Sequence, residues 1–263
     1  MIRMIVNGAA GRMGRRIVAL ASEDREVAVV AGLERPDHPD LGKDLGLLAG
    51  IGEIGVALTD RVAVAADVAV DFSSPASTLA MMEWCAERGV AVVVGTTGLG
   101  EEGARRVEAA ARKVPCLMVP NMSLGVNVLL RVVADVAKAL GDAYDVEIVE
   151  AHHRFKKDSP SGTALALGQS VAAGLGRRLD EVAVHGRHGM VGERTVKEIG
   201  FHAVRCGDAV GEHTVIFGGL GERIEVRHVA TSRDTFARGA LRAAKFLVGQ
   251  KPGRYAMGDV LGL

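Results

Sequence analysis

The sequence predicts an α/β protein with two domains: one built on a parallel sheet, and a smaller α+β domain with an open mixed sheet. In the first half of the chain, buried strand-like runs alternate with helical patterns, as in strand–helix–strand units. In the second half the pattern changes to several strands, and residues 223–228 alternate apolar with charged, which is typical of a sheet with one covered face. With 263 residues, the chain is long enough for two modest domains.

The composition restricts the class of partner. Hydrophobic residues make up 48% and charged residues 24%, and Lys+Arg and Asp+Glu are each 32, so a globular protein with no attraction to nucleic acid or to a membrane surface is expected. No apolar run reaches the length of a membrane span, and the chain enters a strand at once without a signal peptide. Three widely spaced cysteines and scattered histidines argue against a disulfide framework or a metal site and predict a cytoplasmic protein.

The first glycine-rich turn predicts a dinucleotide site. A short strand at residues 4–6 is followed by GAAGRMG at residues 8–14 and then by a helical run. Glycines allow a close approach of a pyrophosphate, and the helix N-terminus favours its charge, so this domain is expected to be Rossmann-like. The spacing is GxxGxxG rather than strict GxGxxG, and the alternative is a tight turn that binds nothing.

The end of the second strand bears on the choice of cofactor. Glu34 follows the strand Val27–Leu33 and lies twenty residues past Gly14, where a ribose-binding acid is expected. Glu34 can accept the 2′-hydroxyl of NADH, whereas Arg35 and Arg12 can pair with the 2′-phosphate of NADPH. Use of both NADH and NADPH is therefore expected, the alternative being that Glu34 is a surface carboxylate.

The next strands contribute to the same edge of the sheet. Strands are predicted at residues 67–72, 90–94 and 116–119, with helices at 76–88 and 101–113, whereas residues 36–55 read as an irregular connection. Ligands of open α/β sheets bind beside the carboxyl ends of strands, so Phe72 and the GTTG turn that contains Gly95, Thr96 and Thr97 are expected near the nicotinamide and its ribose. An ordinary strand-to-helix turn is the alternative for GTTG.

The second domain begins with a long helix. The helix is predicted at residues 124–140, followed by a strand at 145–150, a helix at 163–175, strands at 199–205, 213–217 and 222–230, and a last helix at 235–248. The side chains expected to face inward are Leu79, Met82, Cys85, Val128, Leu129, Val132, Val136, Leu140, Phe236, Leu241, Phe246 and Leu247.

Residues 147–164, EIVEAHHRFKKDSPSGTA, predict a site that holds and protonates a small anion. The strand is expected to end at Glu150, and Ser161 is a good N-cap for the following helix. Ala164 cannot complete a capping box, so some N–H groups remain for a carboxylate. His152 is the predicted general acid, and Lys156 could share the proton donation. His153 could exchange roles with His152, and the alternative is a solvated basic loop.

The order HHxxKxDxPSGTA resembles the signature of the 4-hydroxy-tetrahydrodipicolinate reductases (dihydrodipicolinate reductases). The motifs GAAGRMG, GTTG, NMSLGVN, GRHG, GEHTVIF and a final DVL extend the resemblance over nearly the whole chain. The resemblance implies NAD(P)H-dependent reduction of 4-hydroxy-tetrahydrodipicolinate, which forms from aspartate semialdehyde and pyruvate, to tetrahydrodipicolinate in lysine (diaminopimelate) biosynthesis. The implied substrate is a cyclic dicarboxylate.

The resemblance also implies which positions bind. The cofactor positions are Gly8, Ala9, Ala10, Gly11, Arg12, Met13, Glu34, Arg35, Gly95, Thr96, Thr97, Val119, Pro120, Asn121 and Met122. The residues themselves suggest the substrate positions: Lys156, His153, Ser161, the N–H groups of Gly162 and Thr163, and Arg233 are expected to hold the carboxylates, with His152 and Lys156 as the catalytic residues. Arg233 could clamp a carboxylate with two hydrogen bonds, but it could equally be a surface arginine at a helix start.

The domain boundaries follow from the same family pattern, in which the last helix returns to the nucleotide-binding domain. Residues 1–123 and 234–263 are expected to form the dinucleotide-binding domain, and residues 124–233 the substrate-binding and oligomerisation domain, whose sheet the family places at a homotetramer interface.

Two other functions are alternatives to the reductase. A dinucleotide-dependent sensor would not need a proton donor beside a dicarboxylate pocket, and an amino-acid or homoserine dehydrogenase would not need the HHxxK loop.

Overall fold

A computed structural model describes residues 1–263, and the chain divides into two compact units. The first unit comprises Met1–Leu124 and Asp234–Leu263, and the second comprises Gly125–Arg233. None of the helices combines the length and the apolar character that crossing a bilayer requires.

The first unit is built on a seven-stranded sheet in which every pairing is parallel. Its strands are β1 (Ile2–Asn7), β2 (Val27–Leu33), β3 (Leu58–Thr59), β4 (Val68–Asp71), β5 (Ala91–Val94), β6 (Pro115–Met118) and β12 (Gly253–Tyr255), in the spatial order β12-β6-β5-β4-β1-β2-β3. The strand order reverses between β1 and β4, which is where open sheets of this kind bind ligands.

Helices cover both faces of this sheet. They are α1 (Arg12–Ser22), α2 (Leu45–Ala49), α3 (Pro75–Arg88), α4 (Gly100–Ala111), α8 (Asp234–Leu247) and α9 (Met257–Leu261). Met4 and Val6 pack in one apolar cluster with α1 and α8, whereas Ile5 between them packs in a second cluster with α3 and α4. Alternate side chains of a strand point to opposite faces, so two cores explain why the strands are apolar throughout.

The second unit contains a five-stranded mixed sheet. Its strands are β7 (Asp145–His152), β8 (Ala183–His185), β9 (Ile199–Arg205), β10 (Gly211–Gly218) and β11 (Arg223–Ala230), in the order β11-β10-β7-β9-β8, and its helices are α5 (Leu124–Leu140), α6 (Gly162–Gly174) and α7 (Leu179–Val182). β10 runs antiparallel to β7 and β11, whereas β9 runs parallel to β7 and β8. The predicted fold class, a Rossmann-like domain plus a smaller α+β domain with a mixed sheet, is confirmed.

Some sequence-based expectations were wrong. Residues 36–55 are not simply irregular, because they contain α2, whose N-cap Asp44 accepts hydrogen bonds from five backbone N–H groups, two in the helix and three in the segment after it. The apolar stripe of α5 was only partly right: Leu129 is buried and Val136 and Leu140 are half-buried, but Val128 and Val132 are exposed. The other buried side chains of α5 are Val126, Val133 and Ala137. Valines occur on both sides of α5, so its period alone does not fix the buried face.

Three further inward-facing predictions were only partly right. Leu79, Phe236 and Phe246 are half-buried, whereas Met82, Cys85, Leu241 and Leu247 are buried as expected. The strand before the double histidine was also drawn too short, since β7 continues past Glu150 and ends at His152. This extension places Glu150 and His152 in regular strand geometry, whereas His153 follows the strand.

Candidate active site

The turn between β1 and α1 requires glycine at two places. Gly8 has φ +77°, and a Cβ on Gly14 would lie 2.1 Å from the carbonyl oxygen of Gly8, so the turn is too tight for any side chain there. Gly11 is the N-cap of α1 and provides no side-chain cap, which leaves the first N–H groups of this helix available. The turn therefore presents backbone donors and a helix N-terminus to an anion.

A cavity of about 910 Å³ opens beside this turn, within the size range of small-molecule and cofactor pockets. It lies at the carboxyl ends of β1, β2 and β4, and its lining includes Gly8, Gly11, Glu34, Arg35 and Phe72. A glycine turn, a free helix N-terminus and an acid after the second strand on one cavity fit a dinucleotide.

Glu34 and Arg35 are the charged side chains of this cavity that follow the second strand. Glu34 Oε2 accepts a hydrogen bond from the N–H of Arg35 at 3.3 Å, and the Arg35 guanidinium pairs with Asp37 at 3.0 Å. Both members of that ion pair are largely exposed, so the pairing is weak and Arg35 can turn to another anion. Arg12 is exposed at the first position of α1.

A buried carboxylate organises the neighbouring strand ends. Asp71 accepts hydrogen bonds from Asn7 Nδ2 at 2.6 Å, Thr96 Oγ1 at 2.7 Å and Thr78 Oγ1 at 2.9 Å, and also from the N–H and hydroxyl of Ser73. The predicted cofactor residue Thr96 is thus already engaged through its hydroxyl. Apart from an acid at a strand end, no sequence pattern indicates the Asp71–Asn7 pairing.

The other predicted cofactor positions lie in three different surroundings. Phe72 packs its ring against Gly95, where a Cβ would lie 2.2 Å from a ring carbon. Thr96, Thr97, Val119 and Pro120 line a second cavity of about 230 Å³. The remaining residues contribute other contacts: Ala9, Ala10 and Met122 are buried, Met13 packs against the same core, and Asn121 accepts a hydrogen bond from the N–H of Ser123.

In the second unit, His152 is joined to a buried carboxylate. His152 Nδ1 lies 2.6 Å from Glu150 Oε2, and the Arg205 guanidinium contacts both oxygens of Glu150 at 2.8 Å. Burial alone would raise the pKa of the Glu150 carboxyl, but the hydrogen bonds from Arg205 and His152 outweigh this and hold it below its ordinary value. Glu150 is therefore ionised at neutral pH.

The N-terminus of α6 adjoins this cluster. Ser161 is the N-cap, its hydroxyl accepts from the N–H of Ala164 at 3.1 Å, and its own N–H donates to Glu150 Oε1 at 3.1 Å. His213 Nε2 lies 3.0 Å from the same hydroxyl, and burial lowers the pKa of this histidine to about 4. The predicted N-cap is confirmed, and the sequence missed His213 because it lies on a distant strand.

The remaining predicted residues surround the turn. Lys156 Nζ pairs with both oxygens of Asp158 at 2.8 and 2.9 Å. His153 Nδ1 is buried without a hydrogen-bond partner, a feature that a bound molecule or water would normally satisfy. Gly162 and Thr163 form the first turn of α6, and Arg233 is exposed at the last position of the second unit.

These features are those of an α/β oxidoreductase. The first unit has the glycine turn and cavity typical of dinucleotide-binding domains, and the second carries a histidine–carboxylate pair at a helix N-terminus. The family models described as "Dihydrodipicolinate reductase, N-terminus" and "Dihydrodipicolinate reductase, C-terminus" match residues 2–122 and 125–261. The chain belongs to the dihydrodipicolinate reductase family, as its motifs predicted.

Individual relatives agree with this assignment. The 4-hydroxy-tetrahydrodipicolinate reductase of Citrifermentans bemidjiense is 53% identical, with 100% of both chains covered. That of Rubrobacter xylanophilus is 54% identical, covering 99% of this chain and 98% of the relative. Among solved structures, dipicolinate-bound dihydrodipicolinate reductase from Paenisporosarcina sp. TG-14 has a TM-score of 0.76 at 24% identity, with 97% of each chain covered, and shares the fold.

Proposed function

We propose that this protein reduces 4-hydroxy-tetrahydrodipicolinate to tetrahydrodipicolinate in lysine biosynthesis. In the overall reaction, NAD(P)H and a proton are consumed, and NAD(P)⁺ and one water are released because the product lacks the 4-hydroxyl group. The observation that carries the proposal is His152, held by Glu150 beside the N-terminus of α6, in a chain of this family. A nicotinamide dinucleotide bound in the first unit supplies the hydride.

The side chains of the second unit have two tasks, which are to hold two carboxylates and to provide a proton. The N–H groups of Gly162 and Thr163 at the start of α6 and the hydroxyl of Ser161 suit one carboxylate. His153, Lys156 and Arg233 provide the remaining cationic or donor groups, with Lys156 exchanging Asp158 for the substrate.

His152 provides the proton in this proposal. Its Nδ1 is occupied by Glu150, so Nε2 is the nitrogen that a bound substrate meets. A general acid of this kind contributes about 10²–10⁴-fold in rate. Lys156 is the second candidate proton donor, and the variants His152→Gln and Lys156→Met distinguish the two side chains.

Both NADH and NADPH suit the cofactor cavity. Glu34 offers a carboxylate to the 2′-hydroxyl of NADH, and Arg35, with the exposed Arg12, offers a cation to the 2′-phosphate of NADPH. The exposed Arg35–Asp37 pair gives Arg35 a partner when no phosphate is present. We therefore include both cofactors in the proposed function.

The proposal is tested by following NADPH and NADH absorbance with substrate generated enzymatically from aspartate semialdehyde and pyruvate. His152→Gln should lower turnover by about 10²–10⁴-fold with unchanged cofactor affinity, whereas His188→Gln, on an exposed loop, should leave turnover intact. Lys156→Met should raise KM more than it lowers kcat if Lys156 mainly holds a carboxylate. Cofactor binding without oxidation would favour a sensor, and oxidation of a free amino acid would favour a dehydrogenase.

We further propose a cytoplasmic homotetramer. Cys85, Cys116 and Cys206 are all unpaired, which suits a reducing compartment. The edge strand β11 has one side without a neighbouring strand and exposes Ile224 and Val229, and pairing with another chain is one way to cover such an edge. Light scattering coupled to size exclusion gives the subunit number directly, and a monomeric mass would remove this part of the proposal.

A further inference from the structure

Glu150 is the most deeply buried carboxylate of the second unit, and it lies next to His152, the proposed acid. Its side chain is 1% exposed, yet its two oxygens meet Arg205, His152 and the N–H of Ser161. A carboxylate in this position is costly to bury and persists only with such partners. The proposed roles of His152 and Ser161 leave the role of Glu150 unassigned.

Strand geometry explains why these groups meet. Glu150 and His152 are two residues apart on β7, so their side chains point to the same face, which is the buried one. His152 is paired in register with Arg205 on β9, and Glu150 with His213 on β10. Three neighbouring strands thus deliver the cluster to the N-terminus of α6.

The contact with Glu150 decides which nitrogen of His152 carries hydrogen. An ionised carboxylate can only accept hydrogen bonds, so at 2.6 Å the Nδ1 atom must be the donor. Nε2 then gains or loses the exchangeable proton. A Cβ on Gly211 would lie 3.1 Å from Nε2, so the glycine leaves room on that side of the ring.

Other charged or titratable groups face the pair from each neighbouring element. Arg205 on β9 is positive and also donates to the carbonyl oxygen of Asp158. His213 on β10 packs edge-on against His152, with ring centroids 5.1 Å apart, and burial keeps its pKa at about 4, so it is neutral near pH 7. Lys156 in the loop is neutralised by Asp158, and burial lowers the pKa of His228 on β11.

We propose that Glu150 is a positioning residue that fixes the tautomer and orientation of His152, with Arg205 balancing its charge. The inference rests on the proposed function, since it assigns His152 as the acid. Glu150 holds the Nδ1 hydrogen of His152, and the Arg205 guanidinium balances the charge of the carboxylate that does so. The same carboxylate holds the N–H of Ser161, so one group orients both the acid and the anion-binding turn.

Two variants shift the pH dependence in opposite directions. Glu150→Gln removes the negative charge beside His152 and leaves Arg205 uncompensated, and both changes disfavour the imidazolium. The alkaline limb of the kcat–pH profile should therefore move to lower pH by about one unit, with kcat at the optimum reduced about 10- to 10²-fold. Arg205→Met leaves Glu150 uncompensated and should move the limb to higher pH.

Glu147→Gln is the matched control. Glu147 lies on the same strand and also contacts arginines and a histidine, namely Arg187, Arg194 and His202, but on the opposite face. This variant should leave the alkaline limb in place. NADPH affinity, measured by titration, shows for every variant that the cofactor cavity of the first unit is intact, and the urea unfolding transition of each variant checks the folding of the second unit.

A measurement on the unaltered protein keeps the inference independent of variant folding and of turnover. Imidazole ¹⁵N NMR, with the His152 signals assigned by their loss in His152→Gln, should show neutral His152 protonated on Nδ1. A neutral His152 protonated on Nε2 would overturn the assignment, as would limbs that shift in the same direction in both variants. If the unaltered protein oxidises no NADPH, the proposed function fails, while the NMR result still decides the role of Glu150.

Discussion

Gly14→Ala tests whether the β1–α1 turn is the cofactor-binding element. Gly14 is inside α1, where alanine in place of glycine would normally stabilise a helix by about 1 kcal/mol. The added Cβ, however, would lie 2.1 Å from the oxygen of Gly8 and 2.6 Å from the Cα of Ala9, both backbone atoms that cannot rotate away. The turn must therefore open by about 1 Å, and such overpacking costs about 1–3 kcal/mol.

The displacement falls on the N–H groups that would hold the pyrophosphate. A loss of about 1.4 kcal/mol corresponds to a tenfold weaker Kd, so NADPH and NADH should both bind at least about tenfold more weakly in isothermal titration. Gly258→Ala is the control: Gly258 lies in α9 of the same unit, and the atom nearest to its added Cβ is 3.9 Å away. Unchanged affinity for both cofactors in Gly14→Ala would refute the assignment of this turn.

Three further predictions concern single side chains. Asp71→Asn should lower the free energy of unfolding, measured in urea, by about 2–4 kcal/mol, because the amide NH₂ would face side chains that donate hydrogen bonds to the carboxylate. The control Asp67→Asn breaks a more exposed pair and should lower this free energy by less than about 1 kcal/mol. The pKa of His213 is about 4 in the folded protein, whereas in the unfolded chain it has its ordinary value of 6.5. Protonation of His213 in the unfolded state should therefore lower the free energy of unfolding by up to about 3 kcal/mol as the pH falls from 6.5 to 4. His213→Gln should flatten the Tm profile in that window, whereas His188→Gln should not. Arg35→Ala should weaken NADPH about tenfold and NADH less than twofold, and an equal effect on both would exclude Arg35 from phosphate recognition.

The fold class followed from the sequence because local patterns and tertiary structure agree in the first unit. Strands buried on both faces give continuous apolar runs, and β2 has the predicted bounds. The pattern failed where stability comes from distant partners. Asp44 organises residues 44–56 through hydrogen bonds to backbone groups up to twelve residues away, which no apolar period reveals.

Sequence reasoning placed most of its catalytic and substrate-binding candidates in one stretch, residues 147–164, and did not name as site residues Glu150 within that stretch or Arg205 and His213 outside it. His152, Lys156 and Ser161 are neighbours in the chain, and their residue types indicate proton transfer and anion binding. Arg205 reaches the same cluster from β9, 55 residues from Glu150, and His213 reaches it from β10, 52 residues from Ser161. Only strand register brings them together, and a single sequence contains no direct signal of register between distant strands.

Burial distinguishes Glu147 from Glu150, the carboxylate that we propose positions His152. Each contacts arginine and histidine, and burial opposes ionisation of both, but Arg187, His202 and Arg194 lower the pKa of Glu147 to about 2. Glu147 stays accessible at 21% of its side chain, so solvent stabilises its charge and its histidine need not take part in chemistry. Glu150 has almost no solvent, so its charge depends on Arg205 and His152, and each change in the protonation of His152 alters that balance. A buried ion pair adds little net stability, and a requirement to control a proton beside α6 is a physical reason for retaining one there.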